Sequence, residues 1–362
     1  MVKAPKPRRP RHAATLADVG REAGVSAMAA SAVLNGAKTS ARVSDETRAR
    51  VLAAAKRLNY RPNATARGLA GRRMNTLGVV AILAGDEPNQ YFLEVFNGII
   101  RGAADTGQTT TVFTLDDWAE AQRRIPGFCD GRIDGLVLLA PLLGPDAAAW
   151  LPEHTPIVAV HANHPIAGVT NLESEEEDGA YRMVRHMLAL GHRRILMVGG
   201  PADSVGAERR VQGYLRAHAS LGIRPPPDHE LRTSYSVDGG RGTLEHWFAR
   251  HRGDPLPDAI FAASDAIALG CIDRLAARGL RVPDDVSVVG FDDTVLARSI
   301  RMATVRQPLG ELGRQAVHTL VRRIESQREG LSTREHATIL LPTEIVDGVT
   351  LAAPRTAALT VR

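Results

Sequence analysis

The residues best suited to chemistry in this 362-residue chain lie in one short stretch, Glu22-Ala-Gly-Val-Ser-Ala-Met-Ala-Ala-Ser-Ala-Val-Leu-Asn-Gly36. Ser26, Ser31 and Asn35 carry short polar groups of the kind that bond phosphate oxygens. Gly24 can take φ > 0 and close one helix. Val25 then points inward, and Ser26 caps the next helix, its hydroxyl accepting from a free backbone N–H. Residues 27–34 continue that helix with Ala30, Val33 and Leu34 on its apolar side, and Asn35-Gly36 stop it. Two short helices across a glycine-containing turn form a helix-turn-helix, whose second helix enters the major groove of DNA. Ala27 and Met28 then stand at the exposed start of the reading helix, with Ala32 one turn further on. Methyl groups and Met can touch a thymine methyl but cannot form the bidentate bonds that read guanine or adenine. Base readout is therefore expected to be thin. The alternative is a helical hairpin inside an ordinary core.

The flanking residues position this motif. Thr15-Leu-Ala-Asp18 opens the first helix with capping-box spacing, and Leu16, Val19 and Ala23 share one face. Ser44 caps a third helix with Asp45 and Glu46 in its first turn, where the helix dipole favours negative charge. Val51, Leu52, Ala55 and Leu58 form its apolar stripe. Pro62 pushes Arg61 to an extended conformation and ends that helix. Residues 64–71 are a marginal helix of about two turns, weakened by Gly68. They are either plain linker or a segment that folds on binding.

Charge separates the head from the rest. Residues 1–75 hold 16 Lys and Arg against 4 Asp and Glu, and the remainder 29 against 36. A basic head on an acidic body points to a polyanionic partner for the head alone. Residues 1–14, rich in Pro, Lys and Arg, are expected to be disordered. No apolar run follows the basic N-terminus as in a signal peptide, and no run of about 18 apolar residues calls for a membrane span. Cys129 and Cys271 lie far apart, without metal or disulfide spacing. They read as buried thiols in a reducing cytoplasm.

From Thr76 onward, apolar strands alternate with helices: strands at 77–83, 109–115, 133–139, 157–160, 195–198, 259–262 and 286–289, and a helix at 92–106. This argues parallel α/β sheets in two lobes. Ligands of such lobes sit in the crevice at the carboxyl ends of the strands. His161 and His164 lack a third ligand and do not make a metal site. The acidic run 173–178 reads as a solvated helix start.

The head closely resembles the lactose-repressor (LacI/GalR) family of bacterial transcription regulators. The matching residues are Thr15-Leu-Ala-Asp-Val, Arg21-Glu-Ala-Gly-Val-Ser26, Val33-Leu-Asn-Gly36, Val43-Ser-Asp-Glu-Thr-Arg48 and Tyr60-Arg-Pro-Asn-Ala64. The body matches at Gly191-His-Arg-Arg-Ile195, Glu208-Arg-Arg-Val-Gln-Gly-Tyr214, Ala259-Ile-Phe-Ala-Ala-Ser-Asp265, the block 279–293 and Thr304-Val-Arg-Gln-Pro308. The resemblance implies an all-α helix-turn-helix head at 15–62, a hinge helix at 63–74 and a two-lobed, periplasmic-binding-protein-like α/β body at 75–350, followed by a tail at 351–362. It also implies three chain crossings between lobes, placed near 163, 294 and 332. The implied partners are double-stranded, pseudo-palindromic operator DNA, a small effector between the lobes and a second copy, as homodimer or tetramer. No cofactor, metal or membrane is implied, and the expected location is the cytoplasm, with the nucleoid.

The resemblance assigns DNA contacts to Thr15, Ser26, Ala27, Met28, Ser31, Ala32, Asn35, Tyr60, Asn63, Ala66 and Leu69. Leu69 falls where the family hinge wedges a leucine into the minor groove; an apolar wedge unstacks a base step and kinks DNA. Covering the lobe below is its other reading. The implied effector contacts are Tyr91, Phe92, His161, Arg210, Ser264 and Asp292. Arg210 holds the cleft-arginine position, where a guanidinium fork suits a carboxylate, a phosphate or vicinal hydroxyls. Ser264 stands where many relatives carry Asn, and His161 where many carry Asp. Phe92 can equally be core. A solute receptor fits the body but not the basic head, and no G-x-G-x-x-G, G-x-x-x-x-G-K-[ST] or G-x-S-x-G points to an enzyme.

Overall fold

The computed structural model describes residues 13–35, 43–62, 68, 71, 73–82, 90–226, 228–331, 338–355 and 360–361. The chain divides between Met74 and Asn75 into a helical head and a larger body.

In the head, Thr15 and Asp18 close a reciprocal capping box on α1 (Leu16–Ala23): Asp18 N–H donates to Thr15 Oγ1 (3.3 Å) and Thr15 N–H to Asp18 Oδ2 (2.9 Å). Gly24 ends α1 in the left-handed region at φ 68°. Ser26 Oγ accepts from Ala29 N–H (3.1 Å) at the start of α2 (Ala27–Asn35). Ser44 Oγ accepts from Thr47 N–H (3.3 Å) to cap α3 (Asp45–Arg57). Val19, Ala23, Ala30, Val33, Val51, Ala54 and Ala55 form the core. Leu52, read as part of the α3 stripe, is instead 51% exposed, and Ala54 takes its place inside. The turn is tight because a Cβ on Gly20 would stand 2.8 Å from the Val25 carbonyl oxygen.

The body contains two parallel sheets. The first runs β11-β5-β4-β3-β1-β2, from β1 (Thr76–Ile82), β2 (Thr109–Leu115), β3 (Gly135–Leu139), β4 (Ile157–Val160), β5 (Thr170–Ser174) and β11 (Thr338–Leu341). The second runs β7-β6-β8-β9, from β6 (Ile195–Gly199), β7 (Glu230–Arg232), β8 (Ala259–Ala262) and β9 (Ser287–Val289). An antiparallel pair, β10 (Thr304–Arg306) and β12 (Glu344–Val346), completes the described strands. The apolar runs of β1, β3, β4, β6, β8 and β9 are buried on both faces, as a sheet covered by helices requires.

The first sheet is covered on one side by α4 (Gln90–Asp105) and α11 (Leu309–Arg328), and on the other by α5 (Ala121–Phe128) with residues 143–169. Helices α4 and α11 cross at backbone distance, since a Cβ on Gly98 would collide with the Gly310 carbonyl oxygen and one on Gly313 with that of Val95. The second sheet packs against α6 (Glu176–Ala189), α7 (Val205–Ala219), α8 (Val237–Arg250) and α9 (Asp265–Ala277). The short α10 (Val295–Ile300) follows β9.

The chain crosses between the lobes three times, but C-terminal to the expected places. β5 belongs to the first sheet and α6 to the second lobe, so the first crossing is at Glu175 rather than near 163. β10 lies beside β12, with Asp292 bridging Arg306, while α11 packs on the first sheet; the second crossing is at Gln307–Pro308 rather than near 294. The third, between β11 and β12, is at 342–343 rather than near 332. The polar strand β5, Thr-Asn-Leu-Glu-Ser, does not read as a strand, and the short β10–β12 pair carries little apolar pattern. The segment read as a tail also contributes to the second lobe: Val361 is buried in its core, and its N–H donates to the Asp254 carbonyl.

Candidate functional site

The carboxyl ends of strands from both sheets meet across a cavity of about 810 Å³. Ala140 follows β3, His161 follows β4, Ser264 follows β8 and Asp292 lies just beyond β9. Tyr91 lies in the first turn of α4 and Arg210 in the second turn of α7. Such strand-end crevices are where α/β lobes bind small ligands. Three of the lining residues hold left-handed backbone without being glycine: Ala140 (φ 46°), His161 (φ 53°) and Asp292 (φ 114°). The N–H of each is tied to a neighbouring segment, Ala140 to Val160 O, His161 to Leu172 O and Asp292 to Val305 O, all at 2.8 Å. Backbone of this kind costs about 1–3 kcal/mol per residue and persists where the surroundings dictate it.

One hydrogen-bond chain runs along the cavity wall. Ser174 N–H donates to His161 Nε2 at 3.1 Å, so the neutral ring carries its proton on Nδ1 and donates to the Tyr91 hydroxyl oxygen at 2.6 Å. That leaves the Tyr91 O–H as a donor. Ser174 Oγ donates to Gln307 Oε1, and Gln307 Nε2 donates to Asp292 Oδ1 at 2.6 Å. Burial pushes His161 down to about 4, keeping it neutral at ordinary pH, and pushes Tyr91 well above the usual phenol range. Ser174 and Gln307 stand at the first and second crossings, so the chain links both lobes through the segments that join them.

Arg210 anchors the other side. Its Nη2 donates to Glu176 Oε1 at 2.7 Å and its Nη1 to the Ala263 carbonyl, with Asp292 Oδ1 3.5 Å away. The guanidinium carbon lies 4.2 Å from the Phe291 ring centroid. Burial opposes this charge, but Asp292 and Glu176 outweigh it and hold the guanidinium more firmly protonated than usual. For Glu176, burial raises and Arg210 lowers; the arginine prevails and the carboxyl stays below its ordinary range. Arg209 bridges Glu173 (2.7 Å) and Glu176 (3.4 Å). Burial pushes Asp292 and the neighbouring Asp265 upward, and the charge of Asp292 adds to the shift of Asp265. Asp265 accepts from Thr294 N–H (2.7 Å) and Thr304 Oγ1 (2.7 Å), pinning the loop that carries Asp292. On the cavity lining, Asn163 Oδ1 accepts from Val205 N–H at 2.8 Å, and outside it Arg298 of the second lobe pairs with Glu94 of the first.

Residues 15–63 match the model of bacterial regulatory proteins of the lacI family, and residues 184–351 match a periplasmic binding protein-like domain. The chain is 28% identical over 339 residues to the HTH-type transcriptional regulator DegA of Bacillus subtilis, covering 92% of this chain and 96% of DegA. It is 29% identical to the HTH-type transcriptional repressor PurR of Haemophilus influenzae, covering 88% and 93%. Its fold matches a crystal structure of the lac repressor dimer bound to operator and the anti-inducer ONPF, with TM-score 0.78, 28% identity and coverage of 94% and 100%.

The head matches the lacI family, and most of the chain resembles the lac repressor.

Of the residues that the lacI-family resemblance assigns to the cleft, Tyr91, His161, Arg210, Ser264 and Asp292 line one cavity. Ser264 Oγ also caps α9 by accepting from Ile267 N–H (3.2 Å). Phe92 does not line it: its ring stacks on Phe96 and packs against the first-sheet core, because the helix turns it away from Tyr91. The acidic run is also not simply solvated, since Glu173 and Glu176 are buried partners of the two arginines. Glu176, Arg209, Asn163 and Tyr235 line the cavity without having been expected there. Gln307 lies within the quoted Thr304-Val-Arg-Gln-Pro308 stretch, which was its one sequence signal.

In the lacI-family head, Met28 is 78% exposed, and Ser26 and Ala27 are exposed beside it. Ala32 is only 8% exposed and does not stand on a reading face; a single methyl in mid-helix lies below the level of its neighbours. Ser31 is half-buried. The Thr15 hydroxyl is engaged with Asp18, at 2.7 Å, and Tyr60 packs against the head core. Asn63, Ala66, Leu69 and the side chain of Asn35 lie outside the described residues. Among the described residues, no group of three or more His, Cys, Asp or Glu is arranged to hold a metal ion, and no helix is long and apolar enough to cross a membrane.

Proposed function

We propose that this protein is a transcriptional repressor that binds operator DNA as a dimer through α2 and releases or retains it according to a small molecule in the body cleft. The observation that carries this reading is a helix-turn-helix head with an exposed reading helix on the same chain as a cavity walled by both lobes. The lac repressor structure, which holds operator and a small ligand together, supports it. Ser26, Ser31 and Asn35 serve as phosphate contacts, with Thr15 and Tyr60 fixing the frame behind them. Ala27 and Met28 meet thymine methyls. Asn63, Ala66 and Leu69 belong to a hinge that enters the minor groove. Tyr91, His161, Arg210, Ser264 and Asp292 face the effector. The protein acts on the chromosome in the cytoplasm and catalyses no reaction.

The effector shifts operator affinity by no more than its own preference between the two lobe arrangements. Selection of bound duplexes from fragmented genomic DNA by the purified full chain tests this reading. A recurring pseudo-palindrome, bound less tightly as salt rises and responsive to at least one metabolite in a small-molecule screen, is expected. Retention of random fragments alone, or of none, overturns it.

A further inference from the structure

The charges buried around the cleft do not cancel. Glu173, Glu176 and Asp292 are each more than nine-tenths buried, and among the described residues only Arg209 and Arg210 form ion pairs with them. Arg209 is shared between Glu173 and Glu176, and Arg210 makes its short contact, 2.7 Å, with Glu176. Asp292 is left with Arg210 Nη1 at 3.5 Å, beyond the roughly 2.7–2.9 Å of a strong charge-assisted bond, and with the neutral amide of Gln307 at 2.6 Å. Both fall on Oδ1. Asp292 Oδ2 has no hydrogen-bond donor among the described residues, on a side chain that lines the cavity. The other neighbours do not supply the missing charge. His161 is neutral, and the Ser264 hydroxyl is a helix cap. Asp238, also on the cavity lining, adds an acid that is paired with Arg241.

We propose that the effector is a hydroxylated amine, which lays a protonated amino group against Asp292 Oδ2 while its uncharged part meets the Tyr91 hydroxyl. A neutral hydroxyl can bond to Oδ2 but leaves the surplus negative charge buried; an ammonium group satisfies the oxygen and balances the charge. A carboxylate or phosphate meets the same acids, and both Nη groups of Arg210 are already bonded, to Glu176 and to the Ala263 carbonyl, which leaves only its buried Nε without a partner among the described residues. The terminal nitrogens of the arginine that invites an anion in the sequence are thus already engaged in the fold. This proposal rests on the cleft being an effector site.

Calorimetric titration of the full chain with three matched trios tests it: glucosamine, glucose and glucuronate; galactosamine, galactose and galacturonate; ethanolamine, ethylene glycol and glycolate. Within a binding trio the amine is expected to bind about tenfold or more tighter than the alcohol, with the carboxylate weakest. A tighter alcohol or carboxylate overturns the proposal and leaves the effector reading standing; no binding by any trio overturns the proposal and counts against that reading too. Thermal melts of the ligand-free Asp292→Asn chain give a second measure, with circular dichroism verifying its fold. A melting point equal to or above that of the parent is expected where an unbalanced carboxylate has been removed, and a clear drop overturns the proposal.

Discussion

At the scale of single residues, the cleft is built from groups whose ordinary behaviour burial has changed. His161 titrates near 6.5 in an unfolded chain and near 4 in the fold. Between those values the unfolded state binds the additional proton, so this contribution to stability is complete above about pH 6.5 and is lost as pH falls toward 4. Its ceiling is about 3 kcal/mol, reduced because the half-buried ring still meets cleft water. Urea denaturation from pH 7 to 4 is expected to show a flatter profile for His161→Gln than for the parent; parallel profiles would show that the ring titrates normally. Arg210 is a second test. Lysine keeps the charge but loses the fork that reaches Glu176 and Ala263 together and the flat face over Phe291. Arg210→Lys is expected to weaken effector binding by about ten- to a hundredfold while operator binding without effector persists, measured by fluorescence anisotropy. Equal loss of both would mean that the residue maintains the fold alone.

At the scale of elements, the head depends on close approach as much as on its small core. Gly20→Ala places a methyl against the Val25 carbonyl and is expected to destabilise the head by about 1–3 kcal/mol. Ser26→Ala, which removes one cap, should cost about 1 kcal/mol. Operator titrations at rising temperature should rank them in that order. The caps and the turn of this element are legible in sequence because Thr15, Gly24, Ser26 and Ser44 act within three residues of themselves. So are the apolar strands β1, β3, β4, β6 and β8. Strand β5 is not, because its polar residues are satisfied from afar: Asn171 by Ala162 N–H, Glu173 by Arg209. The same distance hid Glu176, whose partner lies 34 positions on. Where specificity resides is also an element-level question. With methyl groups and Met28 on α2, Leu69→Ala is expected to cost more operator specificity than Met28→Ala, in a comparison of matched and scrambled duplexes; the reverse order would return base readout to α2.

At the scale of the whole body, the lobes are joined by three crossings and linked also by Asn163 on Val205 and by Glu94 with Arg298. Removing a hydrogen bond of this kind shifts an equilibrium by about 1 kcal/mol, or roughly fivefold. Asn163→Ala is therefore expected to open the ligand-free body, seen as a larger radius of gyration in small-angle scattering; an unchanged radius would mean that the crossings alone set the lobe angle. The crossings have a further consequence, during synthesis. The first sheet begins with β1 but receives its edge strand β11, and the helix α11 that covers one face, only after the whole second sheet has been made. On the ribosome, the lobe begun first therefore stays open until the second sheet has been made, and the second lobe in turn waits for β12 and Val361. The half-built first sheet must wait with Leu77, Val79, Val137 and Val158 uncovered by α11, an interval in which a nascent chain is open to aggregation and to the chaperones that prevent it.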